Sequence, residues 1–173
     1  MSRILLADDS PHAQRMGELI LREEGYEVVS VTDGETALVR LGDVDPDLIL
    51  ADAFLPRRSG FEICREVKND PRYRHVRIVL TAGVLEPVDE EEAARVGSDA
   101  LLLKPFEASV VLDTIKPLVD SSRMARELLQ PEPALAAEID PERVRAAVTV
   151  ALDAAFPVMI EEITSRVLIA LKK

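Results

Sequence analysis

Cysteine is nearly absent from this chain. Cys64 stands alone among 173 residues, so no disulfide can close within it. In Phe61-Glu62-Ile63-Cys64-Arg65 it reads as a small buried helix residue rather than a nucleophile. Histidine is scarce too: His12 and His75 are too few and too far apart in sequence to suggest a zinc site. No apolar run approaches the length of a membrane span, and the N-terminus carries no signal-peptide pattern. The expectation is a cytoplasmic protein with no membrane contact. Basic residues are outnumbered, 21 Lys and Arg against 32 Asp and Glu, a net charge of −11. Residues 1–120 hold 24 acids and 14 bases, a net −10, and residues 121–173 hold 8 and 7, a net −1. Neither part has the basic footprint of a nucleic-acid binder, so none is expected as a partner.

What is present is an alternation of strands and helices. Leu48-Ile49-Leu50-Ala51 is an apolar run of the kind buried on both faces of a sheet, and Asp52 stands at its end. The same reading gives strands at Arg3-Ile4-Leu5-Leu6-Ala7, Glu27-Val28-Val29-Ser30-Val31, Val76-Arg77-Ile78-Val79-Leu80-Thr81 and Ala100-Leu101-Leu102-Leu103. Ser10 before Pro11 opens a helix to about Glu24, and Thr32-Asp33-Gly34-Glu35 has capping-box spacing for a second. Ser59-Gly60-Phe61-Glu62 opens a third, residues 88–96 form a short acidic fourth, and residues 110–119 a fifth. Short connections between five strand–helix units imply an α/β fold, a doubly wound parallel sheet with helices on both faces. The expected organisation is a domain over 1–120, a linker over 121–139 containing Gln130-Pro131-Glu132-Pro133, and a helical tail over 140–173.

The chemistry collects at the carboxyl ends of the strands, which share one edge in a parallel sheet. Asp8, Asp9, Asp52, Thr81 and Lys104 all fall there. Three clustered carboxylates repel one another, and hard oxygen ligands with room for water suit Mg²⁺. A lysine and a hydroxyl beside the metal can take up phosphoryl oxygens, and in-line phosphoryl transfer needs mainly positioning and charge neutralisation. A free Asp52 oxygen can serve as nucleophile.

With Asp8-Asp9-Ser10, Asp52 followed by Pro56, Thr81-Ala82-Gly83 and Lys104-Pro105-Phe106 in order, residues 1–120 resemble the receiver domain of bacterial two-component response regulators. The resemblance implies a flavodoxin-like sheet of strand order 2-1-3-4-5. It implies that Asp52 is the phosphoacceptor, served by a sensor histidine kinase or phosphotransfer protein. Asp9, Asp52 and the Phe54 backbone carbonyl would ligate Mg²⁺, with Asp8 acting through a metal-bound water. Lys104 would pair with the phosphoryl group and Thr81 would hydrogen-bond it. Lys104-Pro105 would be a cis peptide, and small Ala82 would keep the site open. Such a protein is not a conventional enzyme; its chemistry is Mg²⁺-dependent self-phosphorylation and self-dephosphorylation. Thr81 and Leu101 hold the family's switch positions, but Leu101 stands where an aromatic ring is usual, which removes the usual relay. Phe54 is bulkier than many residues at its place.

The tail begins with Asp140-Pro141-Glu142, a good helix start. Val144, Val148, Leu152, Phe156, Met159, Ile160, Ile163, Val167 and Leu171 then form a long apolar stripe, which Pro157 kinks or turns into a hairpin. A stripe of that length is expected to pair two copies as a homodimer. The expected output is a contact with a protein target that the residues do not name. One alternative is a pseudo-receiver that scaffolds without taking phosphate. Another is an aspartyl hydrolase, disfavoured because Asp52-Ala53-Phe54 lacks a second acid.

Overall fold

The computed structural model describes residues 2–129. Five parallel strands, β1 (Arg3–Ala7), β2 (Glu27–Val31), β3 (Leu48–Asp52), β4 (Arg77–Gly83) and β5 (Ala100–Lys104), lie in the order β2-β1-β3-β4-β5. Between and after them run α1 (Pro11–Glu23), α2 (Gly34–Val44), α3 (Gly60–Asn69), α4 (Glu90–Arg95) and α5 (Ala108–Leu129). Successive strand residues face opposite sides, so one strand feeds two cores. Leu5, Ala7, Ile49, Ala51, Ile78 and Leu80 pack with α2, α3 and α4. Ile4, Leu6, Leu48, Leu50 and Val79 pack with α1 and α5 on the other face. Every residue of β3 is buried. Each large apolar side chain there contributes about 1.5–3 kcal/mol, and Leu50→Ala would cost about 2–5 kcal/mol through the cavity it leaves.

Helix starts follow their caps. The Ser10 hydroxyl accepts from the Ala13 N–H at 3.4 Å, ahead of Pro11. In α3, Ser59 and Glu62 form a reciprocal capping box. In α2 the cap is Asp33, not Thr32 as the spacing suggested. Its carboxylate accepts from the Thr36 N–H at 2.9 Å and the Thr36 hydroxyl at 2.8 Å. A carboxylate outcompetes a hydroxyl here because it also meets the positive end of the helix dipole.

The fifth helix differs most from expectation. It was expected to end near Val119 but continues to Leu129, so residues 121–129 are helix rather than linker. Pro117 lies inside it without ending it. Proline removes one N–H from the helix, but residue 117 is on the exposed side, where water can meet the freed carbonyl. After Val119 the helix turns Ser122 fully into the body, and Arg126 is tied to loops some 80 positions earlier. No apolar periodicity announces such an anchor. The remainder of the expected linker and the tail at 140–173 lie outside the described residues.

Candidate functional site

The sheet order reverses direction between β1 and β3, which opens a crevice at their carboxyl ends. Asp52 ends β3, Asp8 follows β1, and Lys104 ends β5. Register places Thr81 directly beside Asp52, and Lys104 beside Gly83 on the next strand pair. Asp8 and Asp52 are 3% and 6% exposed, so each needs partners to stay charged. Each has two. Asp8 Oδ1 accepts from the Ser10 N–H at 2.9 Å, and Asp52 Oδ1 accepts from the Phe54 N–H at 2.7 Å. The Lys104 ammonium, arriving from β5, donates to both remaining oxygens, at 2.6 Å to Asp8 Oδ2 and in contact with Asp52 Oδ2. Burial alone would push the Lys104 pKa down, but the hydrogen bonds and charges of Asp52 and Asp8 outweigh it and hold it above the usual value.

One ammonium between two buried carboxylates leaves a negative excess, and Asp9 adds a third carboxylate on the exposed rim. Phe54, in the turn that follows Asp52, is half exposed. Thr81 and Ala82 are buried on β4, and Leu101, half-buried on β5, packs against the α2–α3–α4 core. The Lys104–Pro105 peptide is cis. The structure therefore gathers Asp8, Asp52, Thr81 and Lys104 closely. Among the described residues no three His, Cys, Asp or Glu side chains are already drawn together as metal ligands. The set expected from the resemblance is different in kind: two carboxylates, one backbone carbonyl and a water-mediated third acid. All are hard oxygens and the site carries excess negative charge, so the residues fit a hard divalent cation.

Cys64 is buried within α3, and burial pushes its thiol up to about 11, which leaves it inert. Arg57 sits in the left-handed region at φ 67° and faces Asp33 and Glu35 at 3.7 and 3.6 Å. At 63% side-chain exposure these pairs contribute little.

Two residues that shape the site were missed in the sequence. A Cβ on Gly60 would lie 2.9 Å from Leu80 Cδ2, 3.0 Å from the Asp52 carbonyl carbon, and closer still to its oxygen. Glycine thus lets α3 start against the backbone of Asp52. Gly34 likewise leaves room for the Arg58 carbonyl, and its N–H donates to the Pro56 carbonyl at 3.2 Å, pinning the loop after Asp52 to α2. A glycine at a helix start was the available signal, but the neighbour that demands it comes from elsewhere in the chain. Beside Lys104, a cleft of about 360 Å³ runs between α1 and the β5–α5 loop, lined by Ser10, His12, Ala13, Met16, Ile20, Pro105 and Phe106.

This fold and this crevice define a phosphoryl-accepting α/β domain. The chain belongs to the response regulator receiver domain family, whose model matches residues 4–116. It is 30% identical to protein PilG of Pseudomonas aeruginosa over 119 residues, covering 69% of this chain and 88% of that one. It is 34% identical to response regulator PleD of Caulobacter vibrioides over 131 residues, covering 76% of this chain but only 29% of PleD. Among solved structures it is similar to chemotaxis response regulator CheY4 of Vibrio cholerae, with TM-score 0.63, 30% identity and coverage of 68% of this chain and 98% of that one. It is also similar to the receiver domain of sensor histidine kinase PA1611 from Pseudomonas aeruginosa, which holds a magnesium ion in its active-site cleft. That match has TM-score 0.63 and 29% identity, covering 69% and 98% of the two chains. Among the described residues no helix is long and apolar enough to cross a membrane.

Proposed function

We propose that the chain is a two-component response regulator whose Asp52 carboxylate takes a phosphoryl group from a phosphohistidine on a sensor kinase or phosphotransfer protein. An Asp52 oxygen forms the new O–P bond as the P–N bond to the imidazole breaks, and the imidazole nitrogen keeps the released electron pair. Water later cleaves the acyl phosphate, which restores Asp52 and ends the signal. The observation that carries this reading is the pairing of Lys104 with both Asp8 and Asp52 at the crevice. In this reading the Lys104 ammonium follows the charge from the Asp52 oxygen onto the phosphoryl oxygens, and the Thr81 hydroxyl donates to one of them. Mg²⁺ would be held by Asp9, Asp52 and the Phe54 carbonyl, with Asp8 acting through a water, and would neutralise phosphoryl charge. The intact acids and lysine speak against the pseudo-receiver alternative.

The test uses a small phosphodonor with Mg²⁺ and maps the adduct by mass spectrometry. Label on Asp52 that vanishes in Asp52→Ala supports the assignment; label persisting at the wild-type level removes it. Output runs through protein contact, and residues 140–173 make a homodimer, supported by the apolar stripe from Val144 to Leu171 in the sequence. Light scattering at several concentrations checks this: a full-length monomer at high micromolar concentration rejects it.

A further inference from the structure

At the edge of the sheet opposite Asp52, one side chain fastens the end of α5. The Arg126 guanidinium contacts the Asp45 carboxylate and donates to the Asp45 carbonyl at 3.0 Å and the Pro46 carbonyl at 3.3 Å. It also meets the Asp47 carboxylate at 3.1 Å and His75 Nε2 at 3.0 Å. Asp45 is the left-handed C-cap of α2, at φ 44°. It is shared with Arg3 at 2.8 Å, and Asp47 accepts from the Arg3 N–H at 2.9 Å. One guanidinium therefore joins α5 to the α2–β3 connection and to the residue just before the approach to β4. The other polar tie to this end of the helix is earlier, from Arg77 to the Ser121 hydroxyl at 2.8 Å. Beyond it Met124, Leu128 and Leu129 are exposed.

The His75 contact constrains the protonation state. Guanidinium can donate but never accept, so Nε2 takes a hydrogen bond from Arg126 only when it is unprotonated, as it is in the neutral ring with its proton on Nδ1. Protonation would aim a ring N–H at the side shared by Arg126, at 3.0 Å, and Asp45 Oδ1, at 3.7 Å, and put a second cation beside the guanidinium at a residue only 6% exposed. The charged groups around the ring are Arg126 from α5, Asp45 at the end of α2 and Asp47 ahead of β3. Arg3 of β1 pairs with Asp45 Oδ2, Arg74 is exposed, and Arg77 turns to Asp99 and Ser121.

We propose that His75 and Arg126 form a proton-sensitive latch on the end of α5. A neutral ring seats the guanidinium; a protonated ring unseats it and frees residues 122–129 from the body. Burial first, and Arg126 next, hold the His75 pKa below 6.5, while Asp45 and Asp47 pull the other way without reversing it. The sign follows. Above the ring's ordinary pKa the latch is at full strength. Below it, each pH unit favours the open state by about tenfold until the latched ring itself titrates. The latch thus governs the helix end from which residues 130–173 continue.

The test is amide hydrogen exchange on the full chain from about pH 7.5 to about pH 5.5, expressed as protection relative to the intrinsic rate at each pH. Protection of residues 123–129 is expected to fall as pH drops below 6.5, by up to about fivefold at pH 5.5, while β3 amides change little. His75→Gln, whose amide oxygen still accepts from Arg126, should stay flat. Arg126→Gln should be unlatched and flat at all pH values. The same fall in His75→Gln overturns the proposal. Should that variant fail to fold, the His75 ring signal in wild-type NMR decides: a ring that titrates below pH 6.5 with no loss of protection also overturns it.

Discussion

Lys104→Met keeps the length of the lysine stem and removes its charge. In the wild-type protein that ammonium is the shared partner of Asp8 and Asp52, both almost fully buried. Without it, two like charges remain in the crevice, each with a single backbone N–H donor. Breaking a buried ion pair from one side costs about 3–5 kcal/mol. The Lys104 side chain is 19% exposed, so the crevice is not dry, and the low end, about 3 kcal/mol, applies. For a chain of this size that lowers the melting temperature by roughly 6–12 °C. The measurement belongs near neutral pH. A lysine whose folded pKa is raised contributes its full stabilisation below the unfolded value, and loses it only as pH rises through the folded one. Millimolar Mg²⁺ should then restore more stability to the variant than it adds to wild type, because the cation no longer competes with an ammonium for the same oxygens. Thermal melts by circular dichroism, with chelator and with Mg²⁺, read both effects. A variant as stable as wild type in chelator would refute the claim that Lys104 neutralises the buried pair. Equal Mg²⁺ responses would refute the shared oxygens.

Gly60→Ala forces a methyl group against the Asp52 backbone and the Leu80 side chain. Overpacking of this kind costs about 1–3 kcal/mol, and the shift of Asp52 should slow phosphorylation as well; unchanged urea stability would contradict the close approach. Leu101→Ala should leave the phosphorylation rate nearly unchanged, because no aromatic swing operates at that position. Collapse of phosphotransfer in a folded Leu101→Ala protein would contradict this.

Much of the architecture is written locally. The run Leu48-Ile49-Leu50-Ala51 needs two covered faces whatever follows it, and Ser10-Pro11 starts a helix from its own chemistry. Because all connections are strand–helix–strand, the strands must run parallel, and the residues that end them must share one edge. That places Asp8, Asp52, Thr81 and Lys104 on the same rim from sequence alone. What the chain order cannot express is lateral neighbourhood. Strand order came from the likeness to a known family rather than from periodicity, since an apolar run does not name the strands that lie beside it. Asp33 displaced Thr32 as a cap because two neighbouring groups compete for the same N–H donors, and only geometry ranks them.

Long-range contacts decided the rest. That Lys104 reaches both Asp8 and Asp52, 96 and 52 positions away, follows from β5 lying next to β4 and β4 next to β3. Gly60 looks like any helix-start residue until the Asp52 carbonyl is seen against it. The last turns of α5 carry no apolar stripe toward the core, and their hold comes from Arg126 on Asp45, Asp47 and His75. The sequence by itself determined the alternation, the buried strands and the chemistry at their ends, because these rest on each residue's own preference and its near neighbours. Only the tertiary structure decided which lysine neutralises which acids, where glycine is required and where α5 ends, because charge pairing and steric exclusion act through space between segments the chain keeps far apart.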